Sequence, residues 1–201
     1  MRLGILGGTF DPVHVGHLAL AEAARTAFGL DRVLFIPAAV PPHKPGGAVA
    51  AAEERLAMVR RAVDAAPYFA VSEVELERQG PSYTVDTLAD LQQRHPGAEL
   101  YFITGADEVL ALDTWHDPQR LLQLARFIAA TRPGFDLSRL AQMESRLGPV
   151  ARGRLLPLEW LELGLSSTDL RRLLSEGRSV RYLVPERVVE YIEERRLYRR
   201  D

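Results

Sequence analysis

An apolar run, Leu3 to Leu6, passes directly into Gly7-Gly8-Thr9-Phe10-Asp11-Pro12-Val13-His14-Val15-Gly16-His17, and an alanine-rich helical pattern opens near His17. The run reads as a first β-strand, and Leu18, Ala21, Ala24 and Phe28 recur at near-helical spacing until Gly29, which stands where that helix should end. Arg32 to Ile36 then reads as a second buried strand. Strand, helix, strand at this length is a βαβ unit, which requires parallel strands and a right-handed crossover. The expected class is α/β, a Rossmann-like doubly wound parallel sheet with helices on both faces and a small C-terminal helical tail.

The same stretch has a chemical reading. A strand, a glycine-rich turn and a helix N-terminus form a phosphate cradle, because unpaired backbone N–H groups and the positive end of the helix dipole converge on one place. Gly7 and Gly8 allow a ligand to approach the backbone, and His14 and His17, three residues apart, share a face if the first helical turn includes both. A Gly-Gly turn after a strand is common, and a single nearby histidine more often caps or packs. The conjunction of strand, turn and H-x-G-H is far more specific than a lone GxGxxG, which this chain lacks.

Further along, Pro37 to Gly47 is a proline- and glycine-rich loop at a strand's C-terminal end, where open α/β sheets bind ligands. Ala50 to Asp64 reads as a helix, Phe69 to Leu76 as a strand, and Val85 to Arg94 as a helix for which Thr84 is a plausible cap. Glu99 to Thr104 is the clearest central strand, followed by Gly105-Ala106-Asp107. An acid placed there could meet ribose hydroxyls or simply cap a helix. Trp115, in a loop before a helix over 118–124, could belong to the core or stack on a flat ring. Phe127 to Thr131 and Arg154 to Trp160 read as strands, with a peripheral helix from Asp136 to Leu147 between them. Leu165-Ser166-Ser167-Thr168-Asp169-Leu170-Arg171 opens a helix. Alone it is a good N-cap; paired with the first motif it is a second hydroxyl-rich helix start fit to hold phosphate oxygens, with Arg171 to neutralise charge. Pro185 to Arg196 needs no function beyond packing.

Composition narrows the function classes. At 201 residues the chain suits one α/β core, expected as a single domain over 1–201 whose residues 165–201 form the helical part. A formal net charge of −2 argues against a surface that coats a polyanion, so no nucleic-acid partner is expected and anion binding must be local. No apolar run approaches the ~20 residues of a membrane span, and no signal peptide precedes the first strand, so a cytoplasmic location is expected. Absence of cysteine excludes disulfides, thiolate metal sites and cysteine nucleophiles. Of the 25 lysines and arginines only Lys44 is lysine, which makes it a candidate for a chemical task rather than a solvated charge.

Taken together, GGTFDPVHVGH, PPHK at 41–44, SYTVDTL at 82–88, GAD at 105–107 with Trp115 beyond it, RPG at 132–134, SSTDLR at 166–171 and RYLVPERVVEYI resemble, nearly end to end, the bacterial nicotinate-nucleotide adenylyltransferases. The first motif is the HxGH signature of the wider nucleotidyltransferase superfamily. The one departure noted is Leu165, where the family usually has isoleucine.

The resemblance implies transfer of AMP from ATP to nicotinate mononucleotide, giving nicotinate adenine dinucleotide and pyrophosphate, a step of NAD biosynthesis, with Mg2+ carried by the ATP phosphates rather than by a fixed protein site. It implies catalytic roles for His14, His17, Lys44 and Arg171, and an ATP site of Gly7, Gly8, Thr9, Phe10, His14, His17, Gly105, Asp107, Arg132, Ser166, Ser167, Thr168 and Arg171. The acceptor would meet Lys44, Tyr83, Thr84 and Trp115, its ring near the indole and its carboxylate on backbone N–H groups near Thr84. Pantetheine-phosphate adenylyltransferases and the glycerol- or choline-phosphate cytidylyltransferases share the first motif but are not expected to carry PPHK and SYTVDTL in this order. Class I aminoacyl-tRNA synthetases need a lysine-rich loop that a one-lysine chain cannot supply. A dual nicotinate/nicotinamide specificity, and a non-catalytic nucleotide sensor of the same fold, are the remaining alternatives.

Overall fold

The computed structural model describes residues 1–39, 48–78, 80–160 and 163–199. Among them β1 (Arg2–Gly8), β2 (Arg32–Pro37), β3 (Phe69–Val71), β4 (Glu99–Gly105), β5 (Ala125–Thr131) and β6 (Leu155–Glu159) form one sheet in the order β3-β2-β1-β4-β5-β6. Every pairing is parallel. The central strands are apolar on both sides because both faces are covered: Leu3, Ile5, Leu100 and Phe102 pack into one core, and Val33, Phe35, Tyr101 and Ile103 into the other. The strand order reverses between β1 and β4, and a doubly wound sheet opens its ligand crevice at that switch, outside the carboxyl ends of the strands.

The helices are α1 (Val15–Phe28), α2 (Ala52–Val63), α3 (Thr84–Arg94), α4 (Ala106–Val109), α5 (Pro118–Leu124), α6 (Ser138–Leu147), α7 (Ser167–Ser175) and α8 (Glu186–Glu194). Helix α1 ends as expected at Gly29, whose φ of 59° is left-handed and suits a residue without Cβ. Helices α3, α5 and α6 bury their apolar residues in the first core; α1, α2, α7 and α8 bury theirs in the second. The doubly wound parallel sheet is therefore the one the sequence leads one to expect.

Three local expectations need correction. The strand read over 69–76 stops at Val71 on the sheet edge. Beyond it Val74 reaches the core from a turn, and the Glu75 carboxylate accepts a hydrogen bond from Thr87 Oγ1 on α3 (2.8 Å), which draws the chain off the strand path. Helix α6 begins at Ser138 rather than Asp136, whose carboxylate instead accepts from the Ser138 N–H (2.9 Å). Nor is α6 peripheral, since Leu140, Met143 and Leu147 are buried.

Candidate active site

The signature turn leaves β1 with its carbonyls taken up one by one. Thr9 O accepts from Arg55 Nη1 (2.8 Å), Asp11 O from Arg171 Nη1 (2.6 Å) and Pro12 O from Ser167 Oγ (2.9 Å). Donors from α2 and α7 thus fix a segment that has no regular structure of its own. The Asp11–Pro12 peptide is cis, and Phe10 has a φ of 51°. The Phe10 side chain is buried, with its ring edge-on to His17 (centroids 5.0 Å) and tilted against Phe35 (5.9 Å). As an ATP-site residue it can therefore offer only its backbone, while its ring steadies an imidazole.

Helix α1 opens at Val15, earlier than the sequence pattern indicates, so that His14 is the N-cap and His17 sits in the first turn. The two rings stack at 3.7 Å between centroids. The His14 N–H donates to His17 Nδ1 (3.2 Å), so a neutral His17 carries its proton on Nε2 and presents that N–H as a donor. The intervening Gly16 suits this arrangement, because a Cβ there would lie 3.0 Å from His14 Nδ1 and the ring would have to shift. Burial lowers the His14 pKa to about 4, so the ring is neutral at pH 7. His14 Nδ1 is buried and has no hydrogen-bond partner among the described residues.

At the other helix start, Ser166 is the N-cap of α7: its Oγ accepts from Asp169 N–H (3.1 Å) and donates to the Asp169 carboxylate (2.6 Å). The cap read from SSTDLR is therefore present, and the helix start it forms brings Ser167 and Arg171 to the signature turn. Arg171 Nη2 also donates to Thr168 Oγ1 (3.2 Å) and lies 3.8 Å from Asp11 Oδ2. The buried Asp11 carboxylate accepts from Val49 N–H (2.8 Å), Ala50 N–H (3.2 Å) and Tyr198 Oη–H (2.7 Å).

Two cavities open at the strand ends. One, of about 420 Å3, is lined by Gly105, Asp107 and Arg132 together with Phe135, Arg139 and Trp160. The other, of about 650 Å3, is lined by Gly7, Gly8, Thr9, Tyr83, Thr84 and Trp115, and also by Glu75, Ser82 and His116. Thr104 faces the larger cavity and Gly105 the smaller, so the carboxyl end of β4 divides them. Trp115 packs edge-on against Phe102 (5.9 Å, 89°) beside the core, as one of its two expected roles has it, and also lines the larger cavity.

Thr84 is not a cap. Tyr83 occupies the N-cap position and Thr84 is the first helical residue, because the Tyr83 carbonyl already accepts from Asp86 and Thr87 N–H (both 3.2 Å). Tyr83 stacks on His116 at 4.6 Å. Neither His14 nor His17 lines either cavity; in the chain they lie between Gly7–Thr9, on the wall of the larger, and Leu20, on the wall of the smaller. Lys44 and the PPHK motif lie outside the described residues.

Sequence reasoning passed over Arg55, Glu75, His116, Trp160 and Tyr198. Glu75, one of three acids alternating with Val74 and Leu76, carried no distinguishing signal, and burial pushes its pKa up. Among the described residues no group of three or more His, Cys, Asp or Glu is placed to hold a metal ion.

Comparison with known proteins gives the family. A family model described as cytidylyltransferase-like matches residues 5–173. A probable nicotinate-nucleotide adenylyltransferase of Thermus thermophilus is 50% identical over 199 residues, covering 99% of this chain and 100% of the relative. Its counterpart in Rubrobacter xylanophilus is 48% identical over 202 residues, covering 100% and 94%. Among solved structures, the Plasmodium falciparum nicotinic acid mononucleotide adenylyltransferase complexed with NaAD superposes with a TM-score of 0.77 at 18% identity, covering 98% of this chain and 97% of that one, a likeness of fold. The Thr9–Pro12 turn, the stacked histidines and the capped start of α7 are thus found in a chain that belongs to the cytidylyltransferase-like proteins and, among them, to the nicotinate-nucleotide adenylyltransferase family.

Proposed function

We propose that the chain transfers AMP from ATP to nicotinate mononucleotide, releasing pyrophosphate. The observation that carries this reading is the pair of cavities divided by the end of β4, one beside Asp107 and Arg132, the other beside Thr84 and Trp115, both at the carboxyl edge that the signature turn closes. A phosphate monoester is already ionised at neutral pH, so its oxygen can attack the α-phosphorus without a general base. One P–O bond forms, the α–β bridging P–O bond breaks, and the electron pair leaves on pyrophosphate. What the protein must supply is in-line alignment and stabilisation of charge on the departing group.

His17 Nε2–H is the donor suited to that charge, and the orphaned His14 Nδ1 suits a second hydrogen bond at the same helix start. Ser167, Thr168 and Arg171 would exchange their present carbonyl and hydroxyl partners for β- and γ-phosphate oxygens, and Lys44 would add the lysine charge to the reacting phosphates. Gly105 and Asp107 would meet the ATP ribose. The acceptor's ring would lie by Trp115 and its carboxylate at the start of α3, where the first N–H groups of a helix lack intrahelical acceptors. The Asp11 carboxylate is occupied by two N–H groups and a phenol, so the residues present fit a Mg2+ ion that arrives with the triphosphate and keeps its water. When bound, the ion would neutralise part of the triphosphate charge.

The test is pyrophosphate release from ATP and Mg2+ with nicotinate mononucleotide, nicotinamide mononucleotide or phosphopantetheine offered separately. Release with the first alone is expected. Equal rates with the first two would make the enzyme dual-specific, and ATP binding without release in any mixture would favour a sensor.

A further inference from the structure

The side chains that donate to the signature turn come from α2, α7 and one residue after α8. That last one is Tyr198, which is 187 positions from Asp11 and donates its Oη–H to Asp11 Oδ1 at 2.7 Å. It gets there by two left-handed residues, Arg196 (φ 53°) and Tyr198 itself (φ 63°), conformations that side chains with a Cβ adopt only against a steric cost. Its ring packs in the second core and its oxygen lies 3.9 Å from Met58 Sδ. Burial and the Asp11 carboxylate both hold its pKa above that of an ordinary phenol, so the hydroxyl remains a donor throughout the working range.

The consequence lies at Arg171. Its guanidinium donates to the Asp11 carbonyl but stands 3.8 Å from Asp11 Oδ2, beyond hydrogen-bond distance. Tyr198 Oη–H and Ala50 N–H hold Oδ1 and Val49 N–H holds Oδ2, so the carboxylate is fixed from the far side and does not turn to close on the guanidinium. Remove the phenol hydroxyl and Asp11 Oδ1 loses its shortest partner in a site that is 2% exposed. The nearest cation able to compensate is Arg171, and a guanidinium drawn into a buried bidentate pair is withdrawn from phosphate.

We propose that Tyr198 is a positioning residue for nucleotidyl transfer, its hydroxyl anchoring the Asp11 carboxylate at Oδ1 so that Arg171 stays available to the triphosphate. This rests on the reading above in which Arg171 meets phosphate. The test is steady-state kinetics of Tyr198→Phe with ATP and nicotinate mononucleotide, well below its melting temperature. Expected is a loss of ~10-fold or more in kcat/KM for ATP, with KM for nicotinate mononucleotide within about twofold of wild type. In an Arg171→Lys background the same substitution should add little, because the two act through one contact.

A merely structural tyrosine would lower Tm and leave the ATP parameters alone. Should Tyr198→Phe be unfolded at the assay temperature, Asp11→Asn decides. It keeps the phenol and its packing but removes the charge that would draw Arg171 in, so ATP parameters within about threefold of wild type are expected. Wild-type ATP parameters in folded Tyr198→Phe, a selective ~10-fold loss against ATP in folded Asp11→Asn, or full additivity of Tyr198→Phe with Arg171→Lys, overturn the proposal. Absence of turnover in the wild-type enzyme would instead overturn the reading of the site on which it rests.

Discussion

His14 and His17 differ although they stack. His17 accepts the His14 N–H at Nδ1, so its neutral ring carries the proton on Nε2, whereas His14 is buried, neutral and short of a partner at Nδ1. Replacement of His17 by alanine should therefore slow turnover by ~10²-fold or more at saturating substrates, the usual effect of losing one donor to a developing charge. His14 makes a separate prediction about pH. Its folded pKa of about 4 lies below the ordinary histidine value, so between the two the unfolded chain binds the proton that the folded one refuses, and stability falls as pH drops through that window. Chemical denaturation at pH 7.5 and pH 4.5 should show wild type losing roughly 2–3 kcal/mol more than His14→Gln. The spacing of these histidines was plain in the sequence. What was not plain is that Phe10 serves His17 through its ring, or that Arg55 and Tyr198 serve the turn at all. Their partners are a backbone carbonyl 46 positions away and a carboxylate 187 positions away, and neither leaves a local pattern.

Helix starts carry much of the site, and they were legible to different degrees. At α7 the run Ser166 to Arg171 announces its own cap, and the cap is where the pattern puts it. At α3 the threonine looked like the cap because threonine is a good one, but the tyrosine carbonyl before it already accepts the helix's first hydrogen bonds. The Tyr83 N–H is engaged by Pro81 O (3.1 Å), which leaves Thr84 N–H as the better donor for an acceptor carboxylate. Thr84→Pro isolates that atom, since proline is tolerated at a first helical position and removes little besides the N–H. KM for nicotinate mononucleotide should rise by roughly tenfold, as for loss of a hydrogen bond to a charged group, with Tm nearly unchanged. Titration of the variant with nicotinamide mononucleotide should show no comparable effect. The end of β3 could not be read from its apolar run, because Val74 is as buried in a turn as it would have been in a strand.

The whole molecule is held by its two cores more than by its surface ions. Arg187 pairs with Asp64 and Arg195 with Glu54 across α8 and α2, but these arginines are more than half exposed, and such pairs contribute little. The interface itself is Val188, Val189 and Ile192 against Met58, Val59 and Val63. Ile192→Ala should cost about 2–4 kcal/mol of unfolding free energy. If residues 165–201 belong to one domain with the sheet, far-ultraviolet dichroism and tryptophan fluorescence should report a single transition in both proteins, shifted but not split. The parallel order of the sheet was foreseeable from one βαβ unit; the docking of the last helix on α2 was not, since an amphipathic helix does not say which apolar face it will meet. The 187-residue span between Asp11 and Tyr198 also has a bearing on synthesis. On the ribosome the histidine-bearing turn emerges well before its phenolic strut, so a nascent chain halted between the two carries the paired histidines without the contact that keeps Arg171 from its own aspartate.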